Sequence, residues 1–183
     1  MDSGGKSYEK YLGGDDKGMA EIINDYFDGL TLFLSNYVDD IETAADIAQE
    51  TMVKLAVKKP RCSGKASFKT WLYTIGRNKA VDYLRKNRRA LSAEDLSGES
   101  ADELNLENEY IKKENARAVR QSMKKLGRDY RQALWLVYFE DMTAKQASEV
   151  MGKSLSATQS LIHRAKAALR EQLAKDGFTY EDS

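Results

Sequence analysis

Residues 143–173 read TAKQASEVMGKSLSATQSLIHRAKAALREQL, and their spacing decides the fold of the C-terminal part. Thr143 followed by Gln146 is a capping box, in which side chains and backbone amides satisfy each other at a helix start. Ala147, Val150 and Met151 then share one apolar stripe. Gly152 can take the left-handed conformation that ends a helix. Ser154 or Ser156 can cap the next one. In that second helix Leu155, Thr158, Ile162, Ala165 and Leu169 recur at helical spacing and are expected to face inward. The opposite face carries Ser156, Gln159, Ser160, His163, Arg164 and Lys166. A short helix, a glycine turn and a longer helix with a polar, basic face form a helix-turn-helix pattern. The second helix has the chemistry to enter a major groove. Arg164 and Lys166 can neutralise phosphates, while Gln159, Ser160 and Arg164 carry groups that read base edges. His163 has no second His, Cys or carboxylate at ligand spacing, so it is expected to face solvent or phosphate rather than a metal.

Upstream of this stretch the reading is also helical. The 183 residues contain a single proline, Pro60, and few β-branched alternations, the signature of a nearly all-α chain. Residues 111–126 and 129–140 each predict a helix, the first with Val119, Met123 and Leu126 inward. Near the N-terminus, Ile22, Tyr26, Phe27, Leu30, Phe33, Leu34 and Tyr37 step by three and four, as an amphipathic helix requires. Residues 42–58 predict another, with Ile47, Met52 and Leu55 inward. A helix from Phe68 to about residue 89 buries Phe68, Trp71, Leu72, Ile75, Val81 and Leu84. Residues 1–19, polar and glycine-rich, read as a flexible lead-in.

Net charge is zero, but it is segregated. Residues 1–53 carry 3 basic against 12 acidic side chains, and residues 54–89 carry 12 against 1. Residues 90–110 hold 7 acids and no base, residues 111–175 hold 14 bases against 6 acids, and the last eight hold 3 acids. Two basic blocks split by an acidic one suggest two polyanion-facing modules. The intervening LSAEDLSGESADELNLENE has a linker composition, extended by self-repulsion. The expected architecture is all-α: two small helical domains, 20–90 and 111–175, joined by an acidic linker at 91–110, with an acidic tail at 176–183. The C-terminal domain is the helix-turn-helix.

The first basic block divides into a loop, residues 58–67 (KKPRCSGKAS), and a helix, residues 67–90 (SFKTWLYTIGRNKAVDYLRKNRRA). Aromatic residues interleaved with Lys69, Arg77, Lys79, Arg85, Arg88 and Arg89 suit single-stranded nucleic acid, where bases stack and phosphates need cations. Trp71 sits on the apolar stripe and is expected in the core. Ser63, Lys65 and Ser67 could accept an unstacked base, or the loop could be a simple connector. On the helix before it, Asp46, Gln49, Glu50 and Val53 fall on one outward face. That acidic, partly apolar face reads equally as a protein-contact patch or as a solvated surface.

Several classes of function are excluded. There is no acidic metal cluster beside a basic groove, no phosphate-binding loop and no nucleophile–base pair, so an enzyme is not expected. One histidine and one cysteine, Cys62, leave no metal site and no disulfide framework, and no cofactor is expected. With no long apolar run and no apolar h-region at the N-terminus, the expected setting is a reducing cytoplasm without membrane insertion.

In order, ADIAQETMVKL at 45–55, a basic loop, FKTWLYTIGRNKAVDYLRKNRR at 68–89, an acidic linker and a helix-turn-helix ending SLIHRAKAALREQL resemble one family. The chain is similar, over about residues 20–175, to the extracytoplasmic-function (ECF) group of bacterial RNA polymerase sigma factors of the sigma-70 family. The resemblance implies a specificity subunit that binds core RNA polymerase, recognises promoter DNA as duplex and as melted single strand, and is regulated by an anti-sigma factor. It implies that Asp46, Gln49 and Glu50, with Val53 beside them, dock on the polymerase's largest subunit. It places Ser63, Lys65 and Ser67 in a loop that captures a flipped base of the minus-ten element. Arg77, Asn78, Asp82, Arg85 and Arg88 lie on the helix that melts and holds that element. Ser156, Gln159, Ser160, His163, Arg164 and Lys166 are left for the minus-thirty-five duplex. Here Thr43-Ala44-Ala45-Asp46 keeps only the last acid of the Asp-Ala-Glu-Asp run frequent in the family. The competing reading is a stand-alone helix-turn-helix regulator that binds duplex operators without polymerase.

Overall fold

The computed structural model describes residues 2–38, 40–91 and 118–177. They form helices α1 (Ser3–Leu12), α2 (Lys17–Val38), α3 (Ile41–Lys58), α4 (Phe68–Leu91), α5 (Arg128–Tyr138), α6 (Ala144–Met151) and α7 (Leu155–Lys175). Residues 118–124 are also helical. No strand occurs among the described residues.

Local chemistry explains the boundaries. Asp40 caps α3, its carboxylate accepting from the amides of Glu42 and Thr43. Lys59 ends that helix in the left-handed conformation, at φ 43°. The capping box of α6 forms as expected: Gln146 N donates to the Thr143 hydroxyl and Thr143 N to Gln146 Oε1. Gly152 turns the chain at φ 64°, a conformation that costs glycine little. Of the two serines, Ser154 is the one that caps α7, accepting from Ala157 N.

Helices α1 to α4 form the N-terminal module, with α2 packed on α1, α3 and α4. Helices α5 to α7 form the C-terminal one. The two meet: α6 lies on α4 and α5 on α2. The buried hydrophobic residues accordingly make one cluster, from Tyr8 to Ala165, that runs through both modules.

Three details depart from the sequence reading. Residues 3–12 are a helix, not a loose lead-in, because the glycines there serve packing. A Cβ on Gly4 would meet the Tyr26 ring and Phe68 within 3 Å, and one on Gly18 would strike the α1 backbone at Ser7 and Tyr11. The inward face of α7 is rotated slightly. Leu155, expected inside, is 43% exposed, while Leu161 is buried with Thr158 and Ala165. Leu155 is the first helical residue, ahead of the point where α7 meets its neighbours. Finally, Tyr73, one of the aromatic residues interleaved with the basic ones of α4, is fully buried beside Phe33, ring centroids 5.3 Å apart. The linker 91–110 past Leu91, the start of the helix expected at 111, the Arg88 side chain, and the tail beyond Gly177 lie outside the described residues.

Candidate functional site

Three exposed surfaces gather the residues singled out from sequence. The first is on α3. Ile47, Met52 and Leu55 are buried against the module's core, and that fixes the helix's rotation. Asp46, Gln49, Glu50 and Val53 are therefore all exposed on the opposite side. They line a shallow groove between α3 and α4, with Val57 and Lys79. Val53 and Val57 are 53% and 74% exposed, an apolar strip inside a charged rim. Lys79 reaches across from α4 to Glu50 at 2.7 Å. Sequence reasoning missed Val57 and Lys79. The first lies one turn beyond Val53 and could have been found by extending the spacing; the second comes from another helix and could not.

The second surface is α4 and the loop before it. Ser63 and Lys65 are exposed at the loop tip around Gly64, which sits at φ 72°. Ser67 is drawn in: its hydroxyl accepts from Thr70 N at 3.1 Å and so begins α4. Asn78, Asp82 and Arg85 are exposed along α4, with Arg85 bound to Asp82 at 3.1 Å.

Arg77 stands apart from that row. Its guanidinium donates to Asn78 Oδ1 at 3.1 Å and to the Met151 carbonyl of α6 at 3.3 Å. Gln146 of α6 likewise donates to the Ser67 hydroxyl at 3.4 Å. Two residues expected to face DNA thus also contact the C-terminal module in this structure. Beside them lies a contact that sequence did not reveal. Glu140, only 8% exposed, accepts from Lys69 at 2.8 Å and from Trp135 Nε1 at 3.1 Å. Lys69 also donates to the Glu140 backbone carbonyl. The Tyr73 hydroxyl bonds the same carboxylate; burial first, and that negative charge second, push its pKa well above the usual range. Gly29 of α2 makes room, since a Cβ there would come within 3.0 Å of both Tyr73 Oη and Glu140 Oε1.

The third surface is α7. Ser156, Gln159, Ser160, His163, Arg164 and Lys166 are all exposed. Thr158, Leu161 and Ala165 anchor the helix behind them. The face is open to solvent, although Lys166 also lies 5.6 Å from the Tyr138 ring. Among the described residues no three His, Cys, Asp or Glu side chains cluster as a metal ion would need.

The comparisons with known proteins match these surfaces. Sigma-70 region 2 matches residues 22–90, which hold the α3 groove, the loop and α4. Sigma-70 region 4 matches residues 116–169, which hold the helix-turn-helix. The chain belongs to the ECF group of the sigma-70 family. Among Bacillus subtilis relatives of this sigma factor, RNA polymerase sigma factor YlaC is 25% identical over 160 residues, covering 86% of this chain and 92% of YlaC. ECF RNA polymerase sigma factor SigW is 28% identical, covering 87% and 91%. The fold is shared with the sigma factor RpoE solved with the anti-sigma factor NepR from Bartonella quintana, at TM-score 0.74 and 22% identity, covering 87% of this chain and 98% of that one. CnrH in complex with the cytosolic domain of CnrY gives 0.66, also at 22% identity, over 96% and 99%. As an RNA polymerase sigma factor the protein is a transcription initiation subunit and not an enzyme. No helix among the described residues is long and apolar enough to cross a membrane.

Proposed function

We propose that this sigma factor docks on core polymerase through the α3–α4 groove and reads promoters with α4, its loop and α7. The observation that carries the docking assignment is the shared exposure of Asp46, Gln49, Glu50 and Val53 on one side of α3, with the apolar strip continued by Val57. Such a patch, apolar at its centre with polar groups around it, fits a protein partner better than a polyanion. Ser63 and Lys65 would accept a flipped minus-ten base, and Asn78, Asp82 and Arg85 would hold the melted strand, joined by Ser67, Arg77 and Arg88. The row Ser156, Gln159, Ser160, His163, Arg164 and Lys166 would read the minus-thirty-five duplex.

Opening the DNA needs no covalent step. Its free energy comes from captured bases and from phosphate contacts that release counterions. Tethering two weak readers raises the effective concentration of the second once the first is bound. In the closed arrangement Arg77 and Ser67 are occupied by α6, so α6 separates from α4 before both promoter elements are engaged. An anti-sigma partner, as NepR is for the sigma factor RpoE, would act by holding or masking these surfaces in the cytoplasm. Reconstitution with bacterial core RNA polymerase and a promoter library tests the reading. Initiation that depends on this chain supports it; no binding to core overturns it.

A further inference from the structure

Helix α1 precedes the matched region 2 and has no part in the surfaces above. Its Tyr8 and Tyr11 are three residues apart, on one face. Both are buried, and both donate to backbone carbonyls of another element. Tyr11 Oη donates to the Ala56 carbonyl at 2.8 Å, in the last turn of α3, where carbonyls lack intrahelical partners. Tyr8 Oη donates to the Pro60 carbonyl at 2.8 Å. Between these two anchors Lys59 turns the chain at φ 43°, and its ammonium lies 4.6 Å from the centre of the Tyr11 ring.

The same Tyr8 ring reaches the far end of the loop. Its centroid is 5.4 Å from that of Phe68 and 5.6 Å from that of Trp71, in the first turn of α4. One side chain therefore bridges the residue where the loop departs and the residue where it returns. Helix α1 is itself fixed: Ser7 and Lys10 bind Glu21 of α2 at 2.5 and 2.7 Å, and Gly4 and Gly18 let the backbones approach. The tip of the loop, at Ser63 and Lys65, is left exposed.

We propose that α1 is a positioning element for the loop, with Tyr8 and Tyr11 setting the path on which Ser63 and Lys65 meet an unstacked base. The assignment rests on the reading of this loop as the minus-ten base pocket. Two tyrosine hydroxyls restrain the loop at its root without touching DNA. Their effect falls on base selection, whereas polymerase docking and duplex recognition are untouched.

The test uses the full chain with Tyr8→Phe and with Tyr8→Phe/Tyr11→Phe, which keep the rings and remove the donors. Cys62 is the only cysteine and lies half-buried within the loop, so its reaction rate with an aromatic disulfide reports loop release independently of DNA. Expected are a Cys62 rate raised about fivefold in Tyr8→Phe, the effect of roughly one hydrogen bond, and further in the double variant, with discrimination at one minus-ten base lowered in parallel. Core affinity and minus-thirty-five binding should stay unchanged, and thermal melting confirms that the variants fold. A Cys62 rate and a base selectivity both equal to wild type overturn the proposal. A raised Cys62 rate with unchanged selectivity is resolved by Lys65→Ala. If that variant loses selectivity, α1 plays no part in base choice; if it too is silent, the loop is not the base pocket and the underlying reading fails.

Discussion

Lys69 of α4 and Glu140, just beyond α5, form a 2.8 Å ion pair across the boundary between the two modules, with Glu140 almost fully buried. Trp135 and Tyr73 complete the carboxylate's hydrogen bonds. A buried pair of this kind is hard to break from one side, because the partner keeps its charge in a low-dielectric site.

Glu140→Gln leaves Lys69 without its countercharge, and is expected to weaken module docking by about 3 kcal/mol. Dyes placed on the two modules should report a longer mean distance in the variant. Gly29→Ala should act in the same direction, since its Cβ would crowd Tyr73 Oη and Glu140 Oε1. Distances identical to wild type in both variants would show that the Lys69–Glu140 pair does not hold the modules together.

Glu50 is exposed and paired with Lys79, so an exposed-pair cost of at most about 1 kcal/mol is expected for Glu50→Lys. The melting temperature should change little while affinity for core polymerase is lost, because the charge reverses at this position of the docking face. Normal binding of this variant to core would move the docking site elsewhere.

Arg164→Ala removes an exposed cation from the outward face of α7. Affinity for a minus-thirty-five duplex should fall by about 1–3 kcal/mol if Arg164 reads a base, or the salt slope should drop by about one if it holds a phosphate. Core binding should be unaffected. Titrating the duplex at several salt concentrations separates the two roles.

Burial raises the pKa of Tyr8 and of Tyr37 to about 12, and that of Tyr73 further in the same direction. An acid whose folded pKa is raised stabilises the fold below its unfolded pKa of about 10. That stability is lost as pH climbs through the folded value, because the unfolded chain releases its proton first. Tyrosinate absorbance should thus rise in two stages, exposed tyrosines first and these three only with unfolding. A single transition near pH 10 without loss of helix would contradict the burial.

Gly18→Ala tests α1 from its base. The added Cβ would lie on the Ser7 carbonyl and Tyr11 amide, so α1 must shift despite alanine's better helix propensity. The melting temperature should fall, and amide exchange in residues 3–12 should accelerate.

The helices and their outward faces were legible in the sequence because amphipathic spacing and caps are local. Ile47, Met52 and Leu55 fixed which side of α3 would be exposed, and Thr143, Gln146, Gly152 and Ser154 fixed the turn before α7. Composition alone misled at α1, since glycine reads as flexibility until the helix that it admits is known: Gly4 is small because Tyr26 and Phe68 are there. The Lys69–Glu140 pair spans 71 positions, the Tyr8–Pro60 bond 52, and neither leaves a periodic trace. Sequence by itself determined the helices from α2 onward, the charge segregation and the family. Only tertiary structure decided that Arg77 and Ser67 face α6 and that α1 braces the loop, because long-range contacts depend on which surfaces the packed helices bring together.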